Sequence, residues 1–99
     1  MSAPRRDEVL DVLRSHKAEF ADSFDVTALG IFGSVARDDA GEESDVDIVF
    51  KTDKPNLFRT ARMKQRLEKI LCRHVDVIRW RESISPRLKA RITREACYV

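Results

Sequence analysis

Two aspartates separated by one residue, Asp45 and Asp47, are the side chains whose spacing most directly indicates chemistry. They lie in the run DVDIVFK, residues 45–51, whose alternating apolar residues predict a β-strand. Residues i and i+2 of a strand share one face, so two carboxylates about 4 Å apart would repel by about 4 kcal/mol at an effective dielectric of about 20. Oxygen ligands select hard cations, so the pattern predicts Mg²⁺ or Mn²⁺, whereas the alternative is a charged edge strand that discourages aggregation.

A third carboxylate, Asp76, interrupts the apolar run VDVI of residues 75–78. An acid among β-branched residues is poorly placed in a strand unless its face is functional. If this strand lies beside that of Asp45 and Asp47, three carboxylates meet and can hold two metal ions. Such a pair of ions activates an attacking oxygen and stabilises the leaving group of a displacement at phosphorus.

The pair Gly33-Ser34 directly follows the apolar run VTALGIF, residues 26–32, which predicts a buried strand. A glycine there lets the chain turn tightly and lets a ligand approach the backbone. The free N–H groups of a helix that begins at this point would suit a phosphate. Taken alone, Gly-Ser after a strand is weak evidence for a phosphate site, because this pair is more often an ordinary turn.

These residues have to be positioned by a small set of predicted elements. The periodicity predicts helices over 5–20, 57–72 and 86–96, a short helix and loop over 34–44, and strands over 26–32, 45–51 and 74–79. Residues 97–99 are expected to add a short extension or to dock on a neighbour. The order predicts an α/β (α+β) fold, one domain over residues 1–99, with a three-stranded mixed sheet and about four helices.

The net charge of +2 conceals an asymmetry between the two halves of the chain. Residues 1–50 hold five Lys/Arg and twelve Asp/Glu, whereas residues 51–99 hold fourteen and five. This polarity predicts a surface that meets a charged partner, unless each half only solvates its own helices. The sequence has no apolar run that approaches the ~20 residues of a membrane span and no secretory signal pattern, so we expect a cytoplasmic protein.

The spacing of these residues resembles a known family. Gly33-Ser34, ten further residues and Asp45-Val46-Asp47 resemble the GSx₁₀DxD signature of the DNA polymerase beta-like nucleotidyltransferases. The fuller run GSVARDDAGEESDVDIVF resembles the GSxARG…SDxDxxV form of the minimal nucleotidyltransferases. Asp76 matches the position of the third carboxylate of the family. One position departs, because Asp38 stands where the family usually has glycine and so adds a negative charge near the phosphate loop.

The resemblance implies a Mg²⁺-dependent enzyme that moves a nucleoside monophosphate, AMP from ATP, onto an acceptor hydroxyl. The residues that match are Gly33, Ser34 and Arg37 for nucleotide phosphates, and Asp45, Asp47 and Asp76 for metal binding and catalysis. Asp76 would also act as general base toward the acceptor. For Arg37 a structural ion pair with acids of the loop is an equal alternative.

Minimal nucleotidyltransferases are often encoded beside a small helical HEPN ribonuclease toxin. The resemblance therefore implies an antitoxin that transfers AMP to a tyrosine of this toxin, in a hetero-oligomer or a homo-oligomer. The basic second half would dock the toxin or nucleic acid through Arg59, Arg62, Arg66, Arg87, Arg91 and Arg94. Three alternatives stay open. One is an inactive antitoxin that neutralises its toxin by binding alone, to which the charge of Asp38 points. The others are a nucleotidyltransferase for small molecules and a nucleic-acid binder without chemistry, which only the basic second half suggests.

Overall fold

The computed structural model describes residues 3–99, which form alternating helices and strands. The helices are α1 Arg6–Phe24, α2 Gly33–Ala36, α3 Leu57–Leu71 and α4 Pro86–Glu95, and the strands are β1 Val26–Phe32, β2 Val46–Thr52, β3 Val75–Arg79 and β4 Cys97–Tyr98. The predicted order of helices and strands is thus confirmed. Within the described residues, we find no helix that is long and apolar enough to cross a membrane.

The strands form one mixed sheet in the order β3-β2-β1-β4, in which β2 pairs antiparallel with β1 and parallel with β3. The mixed sheet is as predicted, but it has four strands instead of three. The additional strand, β4, pairs with β1 at Gly30 and Ile31. A Cβ on Gly30 would lie 2.6 Å from the carbonyl oxygen of Cys97, so the missing side chain makes this close pairing possible. A strand of two residues has no periodicity of its own, which is why the sequence indicated only an extension.

Alternation along β2 separates the two faces of the sheet as predicted. Val46, Ile48 and Phe50 pack in the larger core, which is completed by α1 and α3 through Leu13, Phe20, Met63 and Leu67. Val49 packs on the opposite face in a smaller core with Phe32 of β1 and Ile92 of α4. Because Asp47 alternates with the first set, it lies on the α4 face of the sheet.

The helix boundaries follow local signals, with one difference. Ser85 caps α4 by accepting a hydrogen bond from the N–H of Leu88 at 3.3 Å, and Pro86 occupies the first turn, both as predicted. Helix α1 extends to Phe24 rather than ending at residue 20. The Phe24 ring packs against that of Phe20 at 5.5 Å, so an additional turn of helix is buried by tertiary contact.

Part of the charge asymmetry is used within the molecule. The guanidinium of Arg66 on α3 donates to both carboxylate oxygens of Glu19 on α1, at 2.8 and 3.1 Å. Arg59 pairs with Asp25 at 2.5 Å, just after α1. Two of the arginines expected to dock a partner therefore hold the basic half of the chain against the acidic half.

Candidate active site

Strand register brings Asp47 and Asp76 side by side. Asp47 of β2 is directly opposite Asp76 in the parallel pair, and it is also opposite Phe32 in the antiparallel pair with β1. Gly33 follows Phe32, so the Gly-Ser turn and the two aspartates meet at one end of the sheet. Asp45 lies just before β2 and is exposed, Asp47 is half-buried and Asp76 is exposed.

The site is short of positive charge around Asp47. Burial raises the pKa of Asp47, the charges of Asp76 and Asp45 raise it further, and Arg91 and Arg37 only partly oppose them. A divalent cation beside these oxygens would offset the repulsion.

The acidic groups do not form a closed metal cage. Among residues 3–99, no group of three or more His, Cys, Asp or Glu side chains is arranged so that it could hold a metal ion. Mg²⁺ commonly takes one or two carboxylates and completes its shell with water and substrate phosphates. The pair of Asp47 and Asp76 thus fits an ion that binds together with a phosphorylated substrate.

Gly33 makes room for the central carboxylate. It begins α2 with φ +77°, and a Cβ at this position would collide with the Oδ2 of Asp47. The glycine is therefore required twice, for a left-handed backbone and for the close approach of the Asp47 side chain. Sequence reasoning predicted the tight turn, but the group that packs against it is a carboxylate of the chain itself.

Glu95, at the end of α4, is a residue of the site that sequence reasoning missed. Its Oε1 accepts the N–H of Gly33 at 3.2 Å, and its Oε2 accepts from Nη1 of Arg37 at 3.0 Å. The Glu95 side chain is only 9% exposed. Its partners are 62 and 58 residues away in sequence, and the only local signal is a single acid in a basic helix. Of the two roles open for Arg37, the structure shows the ion pair, made with Glu95 and with Asp39 at 3.2 Å.

Replacing Glu95 with glutamine is expected to destabilise the protein at neutral pH by about 2 kcal/mol, the typical contribution of hydrogen bonds to charged groups. Burial works to raise the pKa of Glu95, but the Arg37 guanidinium and the Gly33 N–H outweigh it and hold this pKa below 4.5. A lowered carboxyl pKa stabilises the fold above the ordinary value and loses that effect as pH falls through the lowered one. Urea unfolding should therefore separate the two proteins at neutral pH and bring them together in acid. Equal stability at neutral pH would contradict this role.

Asp38, the departure from the family pattern, has a structural function in this chain. It adopts φ 62°, in the left-handed region where glycine is unstrained. Its Oδ1 accepts the backbone N–H of Arg6, the first residue of α1, at 3.0 Å. Arg5, at the N-cap position of α1, makes no capping bond with its own side chain. Asp38 therefore caps α1 from a distant loop, which accounts for an acid where glycine is usual.

We expect Asp38→Ala to lower the free energy of unfolding by about 1 kcal/mol, because the cap is lost. Asp38→Gly should be nearly as stable as the wild type, since glycine removes about 1 kcal/mol of left-handed strain, which offsets the lost cap. Asp39→Ala is the matched control, because within residues 3–99 the Asp39 side chain makes an exposed ion pair with Arg37 and no other. This substitution should leave the free energy of unfolding nearly unchanged. Chemical denaturation of the three variants measures the order, and equal values for Asp38→Ala and Asp39→Ala would refute the capping role.

A cleft of about 520 Å³ opens beside the aspartates. Its lining residues are Phe32, Asp47, Leu57, Thr60, Ala61, Lys64, Asp76, Val77, Ile78, Leu88 and Arg91. The volume lies in the range of small-molecule sites, and Lys64 and Arg91 supply positive charge near the carboxylates. Apolar walls, two acids and two cations together suit a ligand with an apolar part and a polyanionic part.

Comparison with known proteins finds similarity over most of this chain. Residues 13–99 match the family model of the nucleotidyltransferase domain. Protein adenylyltransferase MntA of Thermococcus cleftensis is 33% identical to this chain over 94 residues, and the alignment covers 94% of each protein.

Solved structures show the same fold. A toxin–antitoxin structure with AMP-PNP superposes with a TM-score of 0.69 at 19% identity, covering 94% of this chain and 70% of the other. The structure of a tri-AMPylated Shewanella oneidensis HEPN toxin in complex with MNT antitoxin superposes with a TM-score of 0.58 at 17% identity, covering 94% of this chain and 66% of the other. The small nucleotidyltransferase fold predicted from the sequence is therefore confirmed.

Proposed function

This chain belongs to the nucleotidyltransferase domain family, and on that basis we propose that it transfers AMP from ATP to a hydroxyl of a HEPN toxin and so acts as an antitoxin. The observation that carries the proposal is the placement of Asp47 opposite Asp76, beside the Gly33 turn, at the wall of a nucleotide-sized cleft. The accepting hydroxyl is proposed to be that of a tyrosine.

The proposed roles of the three aspartates follow from their positions in the site. Asp47 and the opposite Asp76 would hold Mg²⁺ or Mn²⁺ together with substrate phosphates, and Asp45, just before β2, would contribute a further carboxylate. When bound, the ion neutralises phosphate charge and favours ionisation of the acceptor hydroxyl. Asp76 is exposed beside the cleft, so it is open to an acceptor from another molecule.

The proposed transfer is one displacement at phosphorus. The acceptor oxygen bonds to the α-phosphorus, the bond from that phosphorus to the bridging oxygen of the β-phosphate breaks, and pyrophosphate leaves. The acceptor proton passes to the Asp76 carboxylate. Gly33 and Ser34 would position the phosphates, while Arg37, held by Glu95, would contribute its charge to that end of the site.

The names of the known relatives support AMP as the transferred group and a toxin as the acceptor. The Thermococcus relative is named a protein adenylyltransferase, and the structural neighbours include an AMP-PNP complex and an AMPylated HEPN toxin with its antitoxin. The sequence hint toward an inactive antitoxin was the charge of Asp38, and that charge now has a role in capping α1. An active enzyme is therefore the better-supported form of the antitoxin hypothesis.

The test uses ATP labelled at either the α- or the γ-phosphate, with Mg²⁺ and, as the partner, the purified product of the neighbouring gene. Label should reach the partner from the α-phosphate only, because the β- and γ-phosphates leave as pyrophosphate. Asp76→Asn, altered at an exposed position, should fold normally and transfer no label. Label from the γ-phosphate would contradict nucleotidyl transfer, and a tight complex that never becomes labelled would favour the inactive antitoxin.

A further inference from the structure

One continuous groove leads away from the two carboxylates along β3. The cleft that contains Asp47 and Asp76 shares its middle walls with a second cavity of about 420 Å³. The shared lining residues are Leu57, Thr60, Val77, Ile78 and Leu88. The second cavity then continues past the aspartates to Arg79 and Arg81.

The groove follows an open edge of the sheet. β3 is the last strand in the order, paired on one side with β2. Leu57 of α3 and Leu88 of α4 flank this edge. An edge strand presents backbone groups with which an extended polypeptide can pair, and alternate side chains of that polypeptide then enter pockets on either side.

The side chain of Leu57, in the wall of the groove, is exposed to solvent. Leu57 is 88% exposed although it lines both cavities. An isolated exposed leucine carries little information, but an exposed leucine within a continuous apolar wall indicates a surface that a partner covers.

The charge of the groove selects the kind of occupant. Apart from Asp47 and Asp76, the charged residues in its lining are basic, namely Lys64, Arg79, Arg81 and Arg91. In the part of the chain from residue 3 onward, neither Arg79 nor Arg81 is shown in an ion pair with an acid. An acidic occupant would therefore be attracted to the groove.

Protein fits this groove better than nucleic acid. Single-stranded nucleic acid relies on aromatic side chains on which bases stack. Among the described residues that line the two cavities, Phe32 is the one aromatic, and it is only 3% exposed. Apolar walls beside a strand edge instead suit a polypeptide with alternating apolar side chains.

We propose that an extended, acidic segment of the acceptor protein binds along the β3 edge between α3 and α4, and so brings its hydroxyl to Asp47 and Asp76. This rests on the proposed function, which it deepens by assigning the surface that selects the acceptor. Leu57 receives an apolar side chain of the segment, and Arg79 and Arg81 pair with its acids.

The test is direct binding of fluorescent peptides, followed by anisotropy without nucleotide. The probes are a short tyrosine peptide rich in Glu and Leu, the same peptide with Lys for each Glu, and a single-stranded RNA. The acidic peptide should bind about tenfold more tightly than the basic one, the effect of about 1.4 kcal/mol. Leu57→Ser should weaken its binding about tenfold, whereas Phe58→Ser should not, because Phe58 is equally exposed at 84% but lines neither cavity.

Charge reversal supplies the second arm. Arg79→Glu with Arg81→Glu should invert the preference in favour of the basic peptide, while Arg14→Glu with Lys17→Glu on α1 changes the net charge equally and should not. Equal binding of the two peptides, binding of neither, or stronger binding of RNA overturns the proposal. Because binding is measured without ATP, a failure of AMP transfer alone would count against the proposed function and leave the groove assignment standing.

Discussion

Replacing Asp47 with asparagine is expected to abolish AMP transfer while leaving the fold at least as stable as the wild type. Asp47 is central to the site, between Asp76 on β3 and the Gly33 turn after β1. Losing its charge removes about 4 kcal/mol of stabilisation from the transition state if the metal site fails, which corresponds to a fall of about 1,000-fold in kcat. Labelled AMP transfer to the toxin measures this loss.

The same substitution should increase stability although it lowers activity, since the ionised carboxylate of Asp47 is disfavoured in the folded protein. Burial and the neighbouring acids raise its pKa above 3.8, so the folded protein binds a proton more readily than the unfolded chain. A carboxyl with a raised pKa destabilises the fold progressively as pH rises through that pKa, and the penalty vanishes below the ordinary value. Asparagine removes this penalty, so the free energy of unfolding of the variant should increase relative to that of the wild type as pH rises.

The measurement is the difference in unfolding free energy between the two proteins across pH, which cancels the contributions of every other group. Adding Mg²⁺ with a non-hydrolysable ATP analogue should stabilise the wild type and not the variant, because a ligand stabilises only the folded state that binds it. Retention of transfer by Asp47→Asn, or an identical response of both proteins to Mg²⁺ and the analogue, would contradict the role proposed for Asp47.

Substituting alanine for Gly33 should damage both stability and activity. The φ of +77° costs a residue with a Cβ about 1–2 kcal/mol. The added Cβ would also displace the Asp47 carboxylate, since the two cannot occupy the same space. A catalytic group displaced by about 1 Å typically costs about 100-fold in rate, so transfer should fall by at least that factor.

Gly41→Ala is the matched control for this substitution. A Cβ at Gly41 would meet only the Oγ of Ser44, at 3.8 Å, which is ordinary contact distance. Its stability should change by no more than about 0.5 kcal/mol and its activity should be retained. Thermal unfolding and labelled transfer compare the two variants, and a Gly33→Ala protein as active as Gly41→Ala would refute the packing argument.

The elements were predictable because each has enough residues to show a period. Alternation along β2 assigned Ile48 to one face and Val49 to the other, and the cap and proline before α4 located its start. Predictions were incomplete where the signal comes from distant contact. The final turn of α1 depends on burial of Phe24, and β4 exists because Gly30 admits its backbone.

By itself the sequence determined which groups are available for chemistry and on which local elements they lie. These are a carboxylate on the face of β2 opposite Ile48, another carboxylate on β3, and a glycine where β1 ends. Local periodicity and turn-forming residues act over a few positions, so a single sequence is enough to recognise them. Only the tertiary structure decided that Asp47 stands opposite Asp76, and that Glu95 holds Gly33 and shares Arg37 with the loop acid Asp39. Those facts depend on strand register and on the docking of α4, which arise from contacts between residues far apart in sequence, and one-dimensional patterns do not record such contacts.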